Sequence, residues 1–314
     1  MKTTAVTPAD LARSVLAVAP LARAADLRVS DAENRRLVAH LLAGGVTTLL
    51  YGGNANLYNA GVGDFAELLD ALEGWAAEET WMIPSIGADY GKALDQARIL
   101  KERSFPTAML LPLGFPATPV GVATGLRRLA DAAGLPLIAY VKSDGFITAG
   151  DAGRLKDDGV ICAVKYAVVR SDPADDPYLQ ELVAAVGPEH IVSGIGERPA
   201  VAHLSRFRLQ GFTSGSVCIA PRLSMELLRA LQAGEWPSAE AIREVFLPLE
   251  DVRDRHSPIR TLHEAVRLAG ICDTGPMAPF LSNLADPEVL EAVEEAARAL
   301  RDADETFARA TAAG

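Results

Sequence analysis

The sequence predicts an α/β protein of the (β/α)8 TIM-barrel class with a C-terminal helical appendage, and three observations carry the prediction. Short runs of β-branched and apolar residues recur at intervals of roughly 25 residues. Each is followed by a segment of helical periodicity, and there are eight such runs. Eight parallel strands alternating with helices close into a barrel, with the active-site loops at the C-terminal strand ends.

The runs come in order. SVLAVAP (14–20) is followed by DAENRRLVAHLLAGG (31–45), which starts at an N-cap type of residue and stops at glycine, as a capped helix does. TTLLYG (47–52), WMIPSIG (81–87), TAMLLP (107–112) and LPLIAYV (135–141) come next, then GVICAVKYA (159–167), HIVSGIG (190–196) and GFTSGSVCIA (211–220). Their near-continuous apolar character suits strands covered on both faces, which pair in parallel through right-handed crossovers. A doubly wound open sheet would show the same alternation and is the competing architecture. After residue 234 the strand runs stop. AEAIREVFLPLEDVRD, SPIRTLHEAVRLAG and DPEVLEAVEEAARALRDADETFARA read as helices, so residues 1–233 are assigned to the barrel and 234–314 to the helical region.

The chain has 314 residues, 49% of them apolar, enough for a large core. Its net charge of −11, with basic residues scattered, gives no footprint for nucleic acid or an anionic membrane. No stretch has the length of a membrane span, and the N-terminal apolar run is broken by Arg13, a poor signal peptide. A cytoplasmic location is expected. Cys162, Cys218 and Cys272 lie far apart without metal-ligand spacing and read as buried thiols in a reducing compartment. The five histidines form no HExxH, so neither a metal nor another cofactor is expected.

In GVICAVKYA, alternation puts Ile161, Ala163, Lys165 and Ala167 on one face and Cys162, Val164 and Tyr166 on the other. If the lysine face points into the barrel, desolvation lowers its pKa and part of it becomes nucleophilic amine. The competing reading is a strand-end lysine paired with a carboxylate or pointing outward. LPLIAYVK places Tyr140 and Lys142 on one face beside that strand, where a phenol can relay protons. A buried hydroxyl bonded to backbone is the plainer alternative for Tyr140. YGGNANLYNAG offers Gly53, Asn54 and Ala55 as a close-approach loop for a carboxylate, although it reads equally as a plain turn. The loops SGIGERP (193–199) and SGSVCIAP (214–221) bring Gly194, Glu197 and Ser216 to the barrel mouth, the usual phosphate position of such enzymes. Glu197 also suits a helix cap.

Taken together, the motifs resemble the dihydrodipicolinate synthase / N-acetylneuraminate lyase family of class I aldolases, as a divergent member, across nearly the whole chain. Ala19-Pro20 resembles the first-strand TP, Gly53-Asn54-Ala55-Asn56-Leu57 the GTTGE loop and LPLGFPATPVG (111–121) the PYY segment. LPLIAYV is similar to the PIILYNVP strand, AVKYA to the GIKEA strand, SGIGE to the SGDD turn, GFTSGSVCIAP to GAxGxISVxAN, and SPIRTLHEAVRLAG to the NPxPVKxALxxxG helix. The resemblance implies that Lys165 is a Schiff-base lysine, Tyr140 a proton-relay phenol, and Asn54-Ala55 a backbone clamp for the carboxylate of a 2-keto acid such as pyruvate. It also implies a homo-oligomer, a dimer or tetramer.

Departures are equally plain. Asn54 and Ala55 replace the two loop threonines, Leu113 and Gly114 replace the two tyrosines, and YVKSDGF (140–146) lacks the synthase arginine. Lys142, Ser143 or Asp144 is then expected at the distal part of a substrate. The expected activity is an aldolase or dehydratase type of lyase. The alternatives are a ligand-binding or regulatory barrel that has lost its relay, and a phosphate-sugar isomerase or aldolase using Gly194, Gly196 and Gly215.

Overall fold

A computed structural model describes residues 1–312. Its strands are β1 (Leu16–Val18), β2 (Thr48–Leu50), β3 (Trp81–Ile83), β4 (Ser85–Ile86), β5 (Ala108–Leu110), β6 (Leu137–Val141), β7 (Ile161–Tyr166), β8 (Ile191–Ser193) and β9 (Gly211–Ser214). They pair in the order β3-β2-β1-β9-β8-β7-β6-β5-β4, every pairing parallel.

The two ends of that row, β3 and β4, flank Pro84 and are halves of the single run expected at 81–87. Proline has no N–H to give to a ladder. Its carbonyl still accepts the Met109 amide at 2.9 Å, so pairing with β5 continues through the break. One segment therefore binds β2 on one side and β5 on the other, which closes the sheet into a barrel. The open doubly wound sheet is excluded.

All eight expected runs contain strand, with trimmed ends. The largest correction is at 211–220, where the strand stops at Ser214 and a 3-10 turn, Ser216–Cys218, follows. Gly215 adopts a helical φ/ψ there, and the Ser214 hydroxyl accepts the Val217 amide at 2.9 Å, which turns the chain out of the ladder.

The helix expected at 31–45 spans Asp31–Ala43, with Ser30 and Gly44 as its caps. Beyond β9 come Pro221–Ala233, Trp236–Arg255, Pro258–Leu268 and Pro287–Ala312. No helix among the described residues is long and apolar enough to cross a membrane. The cysteines are free; Cys218 and Cys272 are buried, whereas Cys162 is only half-buried, on the outer face of β7.

Candidate active site

The outward residue of β7 fixes the inward one. Tyr166 donates its hydroxyl to Asp176 Oδ2 at 2.6 Å, and Asp176 is the N-cap of the covering helix Pro177–Val186, where it accepts the Leu179 amide at 3.0 Å. Arg170 ties the same carboxylate to Asp144. With Tyr166 held against the helix layer, alternation turns Lys165 into the barrel. It is 3% exposed.

Lys165 makes no hydrogen bond or ion pair among the described residues, so the paired, outward-pointing reading fails. Burial, with a smaller push from the charge of Lys142, lowers its pKa to about 7. At neutral pH a large share of this amine is uncharged. Gly194 makes room for it: a Cβ there would stand 2.6 Å from the Tyr166 carbonyl oxygen and 3.0 Å from Lys165 Cγ.

Across the ladder Tyr140 is the direct partner of Lys165, and Nζ lies 4.3 Å from the centroid of its ring. The contact is with the ring face, where the alternation pattern had suggested only that the two side chains approach. Burial, with a smaller contribution from Tyr58, raises the Tyr140 phenol well above its ordinary range.

Lys165 and Tyr140 line a cavity of about 170 Å³ at the C-terminal ends of the strands. Gly53, Asn54, Lys142 and Gly194, all singled out in the sequence, line it too. Asn54 is fixed by its Nδ2, which donates to the Val18 carbonyl at 2.9 Å. The amides of Asn54 and Ala55 donate to no protein acceptor among the described residues.

Three expected residues are elsewhere. Ala55 and Ser216 are buried outside the cavity lining. Glu197 is corrected more fundamentally: Gly196, at φ +95°, reverses the chain and buries the glutamate behind the site. There Ser224 donates to Glu197 Oε1 at 2.9 Å, while the Glu197 amide donates to Glu250 Oε1 at 3.0 Å. Burial, with repulsion from Glu250, raises Glu197 to about 8, and burial, with a smaller push from Asp254, raises Glu250 above its usual range. Arg253 donates to Glu250 Oε1 at 2.9 Å, so the charge rests on Glu250 and the proton on Glu197.

A stability prediction follows from that proton. The folded protein retains it where the unfolded chain would release it, so the contribution of Glu197 to stability declines as pH rises from the ordinary carboxylate pKa of 4.5 to about 8. Glu197→Gln removes that decline. Denaturant midpoints at pH 5 and pH 8.5 should differ less in the variant than in the wild type; an equal difference would place the proton elsewhere.

The sequence reading missed Tyr58, Arg253 and Asp254, all of which line the cavity. Tyr58 sits in an irregular turn and the other two in the helix Trp236–Arg255, so no strand periodicity points to them. A larger groove of about 510 Å³, lined by Leu111, Leu113, Phe115 and Phe146 among others, is apolar and lacks the lysine.

Dihydrodipicolinate synthase of Bacillus clausii superimposes with a TM-score of 0.80 at 20% identity, covering 92% of this chain and 98% of that one. YagE of Escherichia coli K12, a prophage protein of the dihydrodipicolinic acid synthase family solved with pyruvate, gives 0.80 at 16%, covering 92% and 98%. The chain has the fold of the dihydrodipicolinate synthase family. The fold that the resemblance implied is thereby borne out.

Among curated proteins, a probable 5-dehydro-4-deoxyglucarate dehydratase 2 of Streptomyces coelicolor is 28% identical over 224 residues, 68% of this chain and 66% of that protein. A probable 5-dehydro-4-deoxyglucarate dehydratase of Xanthobacter autotrophicus is 22% identical over 263 residues, 81% and 85% of the two chains. No family model matches the chain.

Proposed function

We propose that this protein is a Schiff-base-forming lyase that removes water from a 2-keto-3-deoxy sugar acid through an imine on Lys165. The observation that carries this reading is the buried, unpaired amine with its pKa lowered to about 7. An uncharged amine can add to a ketone; an ammonium cannot. The name 5-dehydro-4-deoxyglucarate, borne by two relatives, describes a ketone next to a carboxylate, then a methylene, then a carbon bearing a hydroxyl. That order suits elimination through an imine.

The protons balance with neutral Lys165. The amine adds to the ketone, and the carbinolamine loses water as it takes the Tyr140 proton, leaving a protonated imine and a tyrosinate. That tyrosinate withdraws a proton from the methylene, giving an enamine and restoring the phenol. The free amides of Asn54 and Ala55 hold the adjacent carboxylate, and Lys142 at the mouth faces the distal end.

The reading is tested by incubating the protein with pyruvate and borohydride: reduction of the imine should add one stable mass to the peptide carrying Lys165. A protein that gains no mass would refute it. Lys142 supplies a second check, because its charge disfavours the ammonium of Lys165. In Lys142→Gln the pH at which trapping becomes half-maximal should move upward, toward the ordinary lysine value; a profile that stays put would show that burial alone sets it.

A further inference from the structure

The mechanism above leaves the departing hydroxyl without a proton donor, and the cavity offers few. Its hydroxyl-bearing side chains are Tyr58, Tyr140 and Thr213, and its other ionisable groups are Lys142, Lys165, Arg253 and Asp254. Asp254 is ion-paired with Arg198 at 3.3 Å and Arg253 at 2.9 Å. Its carboxylate is thereby already engaged by two guanidinium groups. Thr213 is an aliphatic alcohol, a much weaker acid than a phenol. Tyr140 stands with its ring over Nζ, beside the imine carbon rather than the leaving group two carbons away.

Tyr58 is placed differently. It lies in the 3-10 turn Leu57–Asn59 that follows β2, and its Cε2 is 3.8 Å from where a Gly53 Cβ would stand, so the ring covers the loop that holds the carboxylate. The turn is pinned from outside: Lys92 Nζ donates to the carbonyls of Leu57 and Tyr58 at 3.0 and 2.9 Å, and Asn56 Nδ2 donates to the Ala278 carbonyl at 3.1 Å. The Tyr58 hydroxyl itself meets no protein partner among the described residues, although the side chain is half-buried and lines the cavity. A phenol held this firmly, with its hydroxyl uncommitted, is available to a ligand.

We propose that Tyr58 is a catalytic residue, the acid that protonates the β-hydroxyl as it leaves. This rests on the imine at Lys165. The enamine pair forms the new C=C bond, the C–O bond breaks, and the oxygen departs as water with the Tyr58 proton, leaving an unsaturated iminium and a Tyr58 phenolate. Water then adds to the iminium, its surplus proton returns to Tyr58, and the ketone is released from the neutral amine. One water leaves overall. Burial raises the phenol to about 12, so it keeps its proton at neutral pH until hydroxide begins to form beside it.

The test compares wild type with Tyr58→Phe, which keeps the ring. Three measurements are made: borohydride trapping of pyruvate, water loss from 5-dehydro-4-deoxyglucarate, and chloride loss from 4-chloro-2-oxobutanoate, whose leaving group needs no proton. Tyr58→Phe should trap pyruvate and expel chloride like the wild type, yet lose water from the hydroxy acid roughly hundred- to ten-thousand-fold more slowly. Equal loss of both eliminations, or of neither, would overturn the assignment of Tyr58. A wild type that traps pyruvate but releases no water from the hydroxy acid overturns it too while leaving the imine reading intact; failure to trap pyruvate would remove both.

Discussion

Lys165→Ala should add no mass on treatment with pyruvate and borohydride, and its turnover should fall to background. The expectation rests on the isolation of the amine. Buried at 3% exposure with no charged partner, it is the cavity group whose lowered pKa, about 7, makes it a nucleophile at neutral pH. Lys142 also lines the cavity but is exposed to solvent rather than buried in the barrel. Because Lys165 forms no hydrogen bond or salt bridge among the described residues, its truncation leaves no partner stranded, and the variant should fold. Circular dichroism and thermal unfolding check that point; a folded Lys165→Ala protein that still gains mass would end the assignment.

Tyr140→Phe has the second largest expected effect. The substitution preserves the ring over Nζ at 4.3 Å and removes only the hydroxyl. Cation–π contact with the lysine survives, so the amine keeps its surroundings. Without the hydroxyl, however, the carbinolamine has no acid to expel its water and the methylene no base. Pyruvate trapping should continue slowly, while turnover drops by roughly hundred- to ten-thousand-fold, the usual span for a general acid–base group. Exchange of the pyruvate methyl protons in deuterium oxide, followed by NMR, separates the steps: it should nearly stop in Tyr140→Phe and persist in Tyr58→Phe. Unchanged turnover in Tyr140→Phe would take this phenol out of the mechanism.

The parts of the molecule legible in its sequence are those governed by repetition. Strand alternation is enough to set Lys165 and Tyr166 on opposite faces, but strands apolar on both sides leave the inward face open, and it is the bond from Tyr166 to Asp176 that turns Lys165 into the barrel. Legibility ended where the chain leaves the ladder. Glu197 follows its strand by a few residues, yet a single glycine at φ +95° sends it behind the barrel to Ser224 and Glu250. Tyr58 was invisible for the opposite reason. It replaces no motif residue, and only the turn beginning at Asn56, whose φ is +53°, carries its ring over Gly53. Arg253 and Asp254 come from a distant helix, and nothing local in the sequence announces contact across that separation.

The origin of those last two residues bears on how such a protein can change. Arg253, Asp254, Pro258, Ile259 and Leu262 reach the cavity from the two helices Trp236–Arg255 and Pro258–Leu268, whereas Lys165 and Tyr140 stand on strands. Part of the cavity wall is thus inherited from a stretch of polypeptide separate from the strands that carry the reacting groups. New preferences can be explored by exchanging the helical wall while the reacting groups stay untouched, and a chain trimmed to its strands and their crossovers would keep its nucleophile but lose one side of the vessel around it.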